Sequence, residues 1–237
     1  MVQAADQIQL YKLICRQVAT RMGMTASFLP KPVVGVNGSG MHTNVSISKE
    51  GKNIFWDPKG EEKISQFGWD FVDRILTHGT DTCLALNASV NAFRRLDPHF
   101  EAPNQIKASA VDRGSMVRIP LGNEKSSRVE VRSVSPDANP YLVLLTVFKT
   151  GLEGETAKID NLRQAERYLP DNVYTAIDDF NNAEWTTKLL GADVKGRYAD
   201  LKKNAADRCP RLLGTFVKVP EVQYHHAVYN QFLWNRF

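Results

Sequence analysis

Arg128-Val129-Glu130-Val131-Arg132 alternates charged residues with β-branched ones. As a strand, this run puts two guanidiniums and a carboxylate on one face, about 6.5 to 7 Å apart, and turns Val129 and Val131 to a core. A carboxylate between cations suits a metal ligand, and forked guanidiniums suit the oxygens of phosphates or carboxylates. A surface ion-pair strip would share the spacing. More arginines gather close by in the chain. Arg118 alternates with Val117 and Ile119, Arg113 lies just upstream, and Arg95 and Glu101 bracket the irregular Asp97-Pro98-His99-Phe100. Arginine outnumbers lysine here, with only Lys107 and Lys125 nearby, which favours fixed bidentate recognition over a solvated face.

A second polar row comes earlier. His42, Asn44 and Ser46 alternate with Thr43, Val45 and Ile47. A neutral imidazole can ligate a divalent metal and a serine hydroxyl can bond a phosphate, although a strand histidine is more often a structural hydrogen-bonder. Asn37-Gly38-Ser39-Gly40 precedes this row as a turn whose glycines let backbone approach a ligand closely. It lacks the Gly-Lys-Ser/Thr of a Walker A loop and the third glycine of a dinucleotide fingerprint. Together these residues point to a metal-assisted site for a ligand rich in anionic oxygens, with arginines as electrostatic clamps.

Several elements must position them. Ile8, Leu10, Leu13, Ile14, Val18 and Met22 predict a helix over Ala4 to Met22, stopped by Gly23. A second is predicted from Glu62 to His78 with Ile64, Phe67, Phe71, Ile75 and Leu76 on one side, ending at Gly79, and a third from Asp81 to Leu96. Period-two alternation predicts strands at Val33 to Val36, Thr43 to Ile47, Met116 to Leu121 and Arg128 to Val134. From Ile159 onward the chain reads as mostly helical, broken at Pro170, Gly191, Gly196 and Pro210. The fold class is therefore α+β, mostly antiparallel, with a motif-bearing core at 1–154 and a helical portion at 155–237.

The 237 residues suffice for a substantial core. Thirty Lys+Arg against 26 Asp+Glu is too mild an excess to signal nucleic acid, and neither a Lys-rich run nor interleaved aromatics is present. Cys15, Cys83 and Cys209 are widely spaced and read as free thiols of a reducing compartment. Met1 to Gln9 carries no secretion-signal pattern, and no apolar run is long enough to span a bilayer. A cytoplasmic protein without a membrane or nucleic-acid partner is expected. Trp56, Trp69, Trp185 and Trp234 read as packing or interface residues, and His225-His226 receives no role because adjacent side chains diverge.

The motifs occur in a familiar order. Lys31-Pro32, Asn37-Gly38-Ser39-Gly40-Met41-His42, Phe100-Glu101-Ala102-Pro103, Arg118-Ile119-Pro120, Arg128 to Arg132 and Pro136-Asp137-Ala138-Asn139-Pro140-Tyr141 resemble the C-terminal part of the catalytic domain of type I glutamine synthetase. The resemblance runs from about Ile8 to Gly154. It implies ATP-dependent joining of glutamate and ammonium through an acyl phosphate, with Mg²⁺ or Mn²⁺, in a homo-oligomer. It assigns His42 and Glu130 to a metal beside the ATP phosphates. Arg113 and Arg118 become phosphate clamps, Asn37, Gly38, Arg95 and Arg132 glutamate contacts, and Glu101 the flap glutamate that helps deprotonate ammonium. Ser46 and Arg128 become nucleotide contacts.

The sequence also departs from the family. Asn44 stands where some members have a second histidine, Asn87-Ala88-Ser89 replaces a common Asn-Pro-Thr, and Arg163 occupies the place of the tyrosine that one subgroup adenylylates. The family's N-terminal β-grasp domain and the strands carrying the other metal-binding glutamates have no counterpart here. The chain is accordingly expected to be a truncated or split product with little ligase activity by itself. Ligation of glutamate to other amines, or a non-catalytic binding role, are the alternative readings.

Overall fold

The computed structural model describes residues 1–33, 35–97 and 102–223, with side chains as far as residue 207. α1 spans Val2–Arg21, and Gly23, at φ +69°, supplies the left-handed stop expected of it. The helix sits where the spacing places it, yet only Ala5 and Lys12 are buried. Leu10, Ile14, Val18 and Met22 face outward.

A 3₁₀ turn at Glu61–Lys63 leads to α2 (Gln66–Thr77), capped by the Ser65 side chain accepting from the Gly68 N–H. Trp69, Phe71, Val72, Ile75 and Leu76 are buried along it. The single helix expected from Asp81 to Leu96 is instead two, α3 (Gly79–Leu86) and α4 (Val90–Arg95). Gly79 opens α3 rather than closing the preceding helix. The break falls at Asn87-Ala88-Ser89, because the Ser89 hydroxyl accepts from the Ala92 N–H and starts a new helix.

The main sheet runs β1 (Thr43–Val45), β6 (Val129–Val131), β5 (Ser115–Arg118), β4 (Gln105–Ser109) in spatial order. β1–β6 and β6–β5 pair antiparallel whereas β5–β4 is parallel, so the sheet is mixed. A hairpin of β2 (Ser48–Lys49) and β3 (Lys52–Asn53) turns through Glu50-Gly51, both at positive φ. The strands are shorter than the alternation predicts, since Pro120 ends the β5 run. No strand forms at Val33, Gly35 or Val36, and both valines are exposed.

α5 (Pro140–Glu153) starts at the Asn139 cap with Pro140 in its first turn and stops at Gly154. Residues after Ile159 are not helical at once. The Ile106 and Ala108 N–H groups of β4 donate to the Arg167 and Arg163 carbonyls, so this segment covers the outer side of β4. Helices resume as α6 (Val173–Asn182), α7 (Glu184–Leu190) and α8 (Ala192–Gln223). Gly191, at φ +77°, separates α7 from α8, but α8 runs on through Gly196 and Pro210, where breaks were expected. One apolar cluster joins the sheet (Val117, Val129, Val131) to α2, α3, α5 and the later helices through Phe180 and Ala199. Fully burying each such valine contributes about 1.5 to 3 kcal/mol.

Candidate functional site

Sheet register assembles the site. Asn44 on β1, Glu130 on β6 and Arg118 on β5 lie opposite one another across three strands. Val129 and Val131 are fully buried beneath them. Arg132 and His42 extend the same face by one side-chain period each.

Glu130 is the hub. Its Oε1 lies 3.0 Å from His42 Nδ1 and accepts from Arg132 Nη1 at 3.0 Å, while Oε2 accepts from Arg118 Nη2 at 2.8 Å. This is a buried cluster rather than a surface strip, with Glu130 only 4% exposed and Arg132 8%. The guanidiniums are therefore already engaged, contrary to the free forks that alternation alone suggests. Arg132 also donates to the Arg113 carbonyl. The Nε–H groups of Arg118 and Arg132 are nevertheless buried without an acceptor among the described residues, which costs about 1 to 3 kcal/mol apiece.

Arg95, at the end of α4, is buried and donates to the carbonyls of Arg132, Ser133 and Val134. Burial and the Arg132 charge push its pKa down to about 10. His42 is also held below the ordinary imidazole value, chiefly by burial and then by Arg132 and Arg95, with Glu130 opposing. Its neutral form is thus favoured.

The glycine loop closes one side. Asn37, Gly38, Gly40, His42, Arg95 and Arg132 line a cavity of about 210 Å³ together with Ala102 and Pro103. A Cβ on Gly38 would meet the Pro30 carbonyl at 2.5 Å, and one on Gly40 would collide with Arg95 Nη2 and lie 2.8 Å from His42 Nε2. Only glycine lets this backbone approach so closely. Lys31 anchors the loop: its buried ammonium donates to the Val36 carbonyl, and Asn91 bonds both its N–H and its carbonyl.

Other expected residues stand apart from the hub. Arg128 turns to β1, where its Nε donates to Asn44 Oδ1 at 2.9 Å. Ser46 is exposed just beyond β1, and Arg113 is exposed, with its carbonyl accepting from Arg132. Glu101 lies outside the described residues. Gly40 and Lys31 were not singled out as site residues, although each sits in a quoted motif and a close-approach glycine beside a histidine was the available signal. Asn44 appeared in the polar row and as a departure from the family, not as a partner of Arg128.

The donor set tests for a cation. Among the described residues no group of three or more His, Cys, Asp or Glu converges. His42 and Glu130 supply two donors, one carboxylate already shared by two arginines, which does not by itself fit a divalent ion that wants six or more oxygens. The surroundings fit an anion better: two guanidiniums share one carboxylate, and two buried N–H groups lack acceptors among the described residues.

A mixed sheet under helices holds arginines round a glycine-lined cavity. The sequence model of glutamine synthetase, catalytic domain, matches residues 1–212, and the chain belongs to that family. Glutamine synthetase of Methanosarcina mazei is 36% identical over 215 residues, covering 84% of this chain and 48% of the relative. That of Clostridium saccharobutylicum is 36% identical over 210 residues, covering 82% and 47%. A solved structure described as apo GmaS without ligand superposes with a TM-score of 0.72 at 28% identity, covering 85% of this chain and 49% of that one. The chain thus spans about half the length of the relatives it matches. No described helix is long and apolar enough to cross a membrane.

Proposed function

We propose that this chain contributes one wall of a glutamine synthetase active site, the wall that binds the phosphates of ATP and the carboxylates of glutamate. The observation that carries the reading is the Glu130 hub, where Arg118 and Arg132 share one buried carboxylate beside a glycine-lined cavity. In the complete reaction a γ-carboxylate oxygen of glutamate attacks the γ-phosphorus of ATP and ADP leaves. Ammonia then attacks the acyl carbon, the carbon–oxygen bond to phosphate breaks, and glutamine and phosphate are released. Both steps build negative charge on oxygens, which preorganised cations stabilise without a protein nucleophile.

Arg113 and Arg118 meet the phosphoryl oxygens in this scheme, and Arg128 and Ser46 make the remaining nucleotide contacts. Asn37, Gly38, Arg95 and Arg132 hold glutamate, and Glu101 takes the ammonium proton. Divalent metal use is a property of the family, but no step is assigned through a metal here, because His42 and Glu130 offer too few donors. The assembled protein is a homo-oligomer in this reading, and the isolated chain is incomplete.

Calorimetric titration of the 237-residue chain with ATP tests the reading. ATP should bind measurably, and Arg118→Ala should weaken it at least tenfold. Incubation with ATP, glutamate, ammonium and Mg²⁺ should form no glutamine. Unaltered binding in the variant, or robust turnover by the chain alone, overturns it.

A further inference from the structure

We propose that Asn91 is a positioning residue for the glutamate end of the cavity: it seats the glycine loop on α4 so that Asn37 and Gly38 stand beside Arg95. The inference rests on the proposed function and deepens it, since Asn91 touches neither ligand there and acts through the loop. Asn91 and Arg95 are four residues apart on α4 and so share one side of that helix. Both are buried, at 6% and 5% exposure. At the start of the loop, Asn91 Oδ1 accepts from the Lys31 N–H at 2.7 Å, and its Nδ2 donates to the Lys31 carbonyl at 2.9 Å. At the far end, Arg95 lies so close to Gly38 and Gly40 that a Cβ on either would collide with its side chain. One face of α4 therefore grips both ends of the loop.

The loop's own bonds transmit that grip. The Ser39 N–H donates to the Pro30 carbonyl at 2.7 Å, and the Lys31 ammonium donates to the Val36 carbonyl. A shift of the Lys31 backbone thus carries Ser39 with it, and Gly38 next to Ser39 lines the cavity. Among side chains of this size only a carboxamide offers both a donor and an acceptor to one residue's backbone, since a carboxylate lacks the donor and a leucine lacks both. Without it a buried N–H and carbonyl lose their partners, and the loop regains them by leaving α4. The phosphate side is held differently. Arg118 and Glu130 are set by the pairing of β5 with β6, which Asn91 does not touch. Loss of Asn91 should therefore separate the two ligands, costing glutamate and sparing ATP.

Titration of the full 237-residue chain with L-glutamate and, separately, with ATP tests this by calorimetry and amide NMR. Asn91→Leu should weaken L-glutamate at least tenfold and leave ATP affinity within about twofold. Without any ligand, the Gly38 and Gly40 amide resonances should move while those of Val129 and Val131 stay. Asn91→Asp keeps the volume and the acceptor. It should weaken L-glutamate at about pH 8 and regain most of the loss, relative to wild type, at about pH 5.5, because a buried carboxyl protonates early and then donates to the Lys31 carbonyl. Asn91→Leu should show no such recovery. Wild-type glutamate affinity in both variants overturns the inference, as do equal losses of glutamate and ATP, which mark a folding role alone. A wild-type chain that binds no L-glutamate overturns the proposed function instead, and the ligand-free glycine resonances then still decide whether Asn91 seats the loop.

Discussion

Two arginine–carboxylate clusters among the described residues have opposite surpluses. At Glu130 one acid serves Arg118 and Arg132 beside a neutral-leaning His42. At Arg163 one cation serves two acids, with Nε and Nη2 on Asp73 at 2.7 and 2.9 Å and Nη1 on Glu61 at 3.0 Å, and its guanidinium stacked 4.0 Å from the Trp69 ring. The hydrogen bonds to Asp73 raise the Arg163 pKa further. The second cluster is saturated and pins the 161–168 segment across β4. The first retains buried donors without acceptors at its cavity of about 210 Å³, whereas the second lines a wider cavity of about 500 Å³ with its guanidinium engaged on all three nitrogens. Cation excess plus unsatisfied donors distinguishes a binding wall from a structural clamp built of the same residue types.

The comparison is open to direct challenge. The largest effect should come from Glu130→Gln, which leaves the buried Arg132 and half-buried Arg118 guanidiniums facing each other and should cost about 3 to 5 kcal/mol in urea unfolding. Arg163→Ala should cost less, about 2 kcal/mol, because its partners are better solvated, and Arg163→Lys should recover only part since it loses the fork and the stacking. If Arg163→Ala proves the costlier change, the contrast fails. The smallest effect is a slope. His42 is held below its ordinary pKa of about 6.5, so the unfolded chain takes up its proton first and stability should fall as pH drops through that value. His42→Gln should flatten this slope in unfolding curves collected from pH 7 to 5, and Arg163→Ala should leave it unchanged.

Much of the hub was legible in the sequence because period-two alternation in β1 and β6 fixes which side chains share a face. Glu130, Arg132, Arg118 and His42 were all named from it. What alternation does not supply is the partner strand's register, so the pairing of Asn44 with Arg128 and the satisfaction of Arg95 by the 132–134 carbonyls were not readable. Helix positions were legible where periodicity was strong, as in α1 and α2. The split at Ser89 was missed because an N-cap hydroxyl competes locally with helix continuation and leaves the apolar pattern intact. The α1 stripe gives the converse lesson. Spacing predicted the helix correctly, but its apolar face stays exposed among the described residues. Arg163 was seen only as a missing tyrosine, since its clamp depends on α2 side chains about ninety positions away.

The cover along β4 gives the sheet a direction. One flank is sealed by the carbonyls of Arg163 and Arg167, so any added strand must lie beyond β1. Strands settle about 4.8 Å apart, and Asn44 is directly opposite Glu130. A newcomer would therefore lie two strand spacings from the acidic hub, near enough for long side chains to lean into it. Extension of this sheet, whichever polypeptide supplies it, is at the same time extension of the cavity's wall.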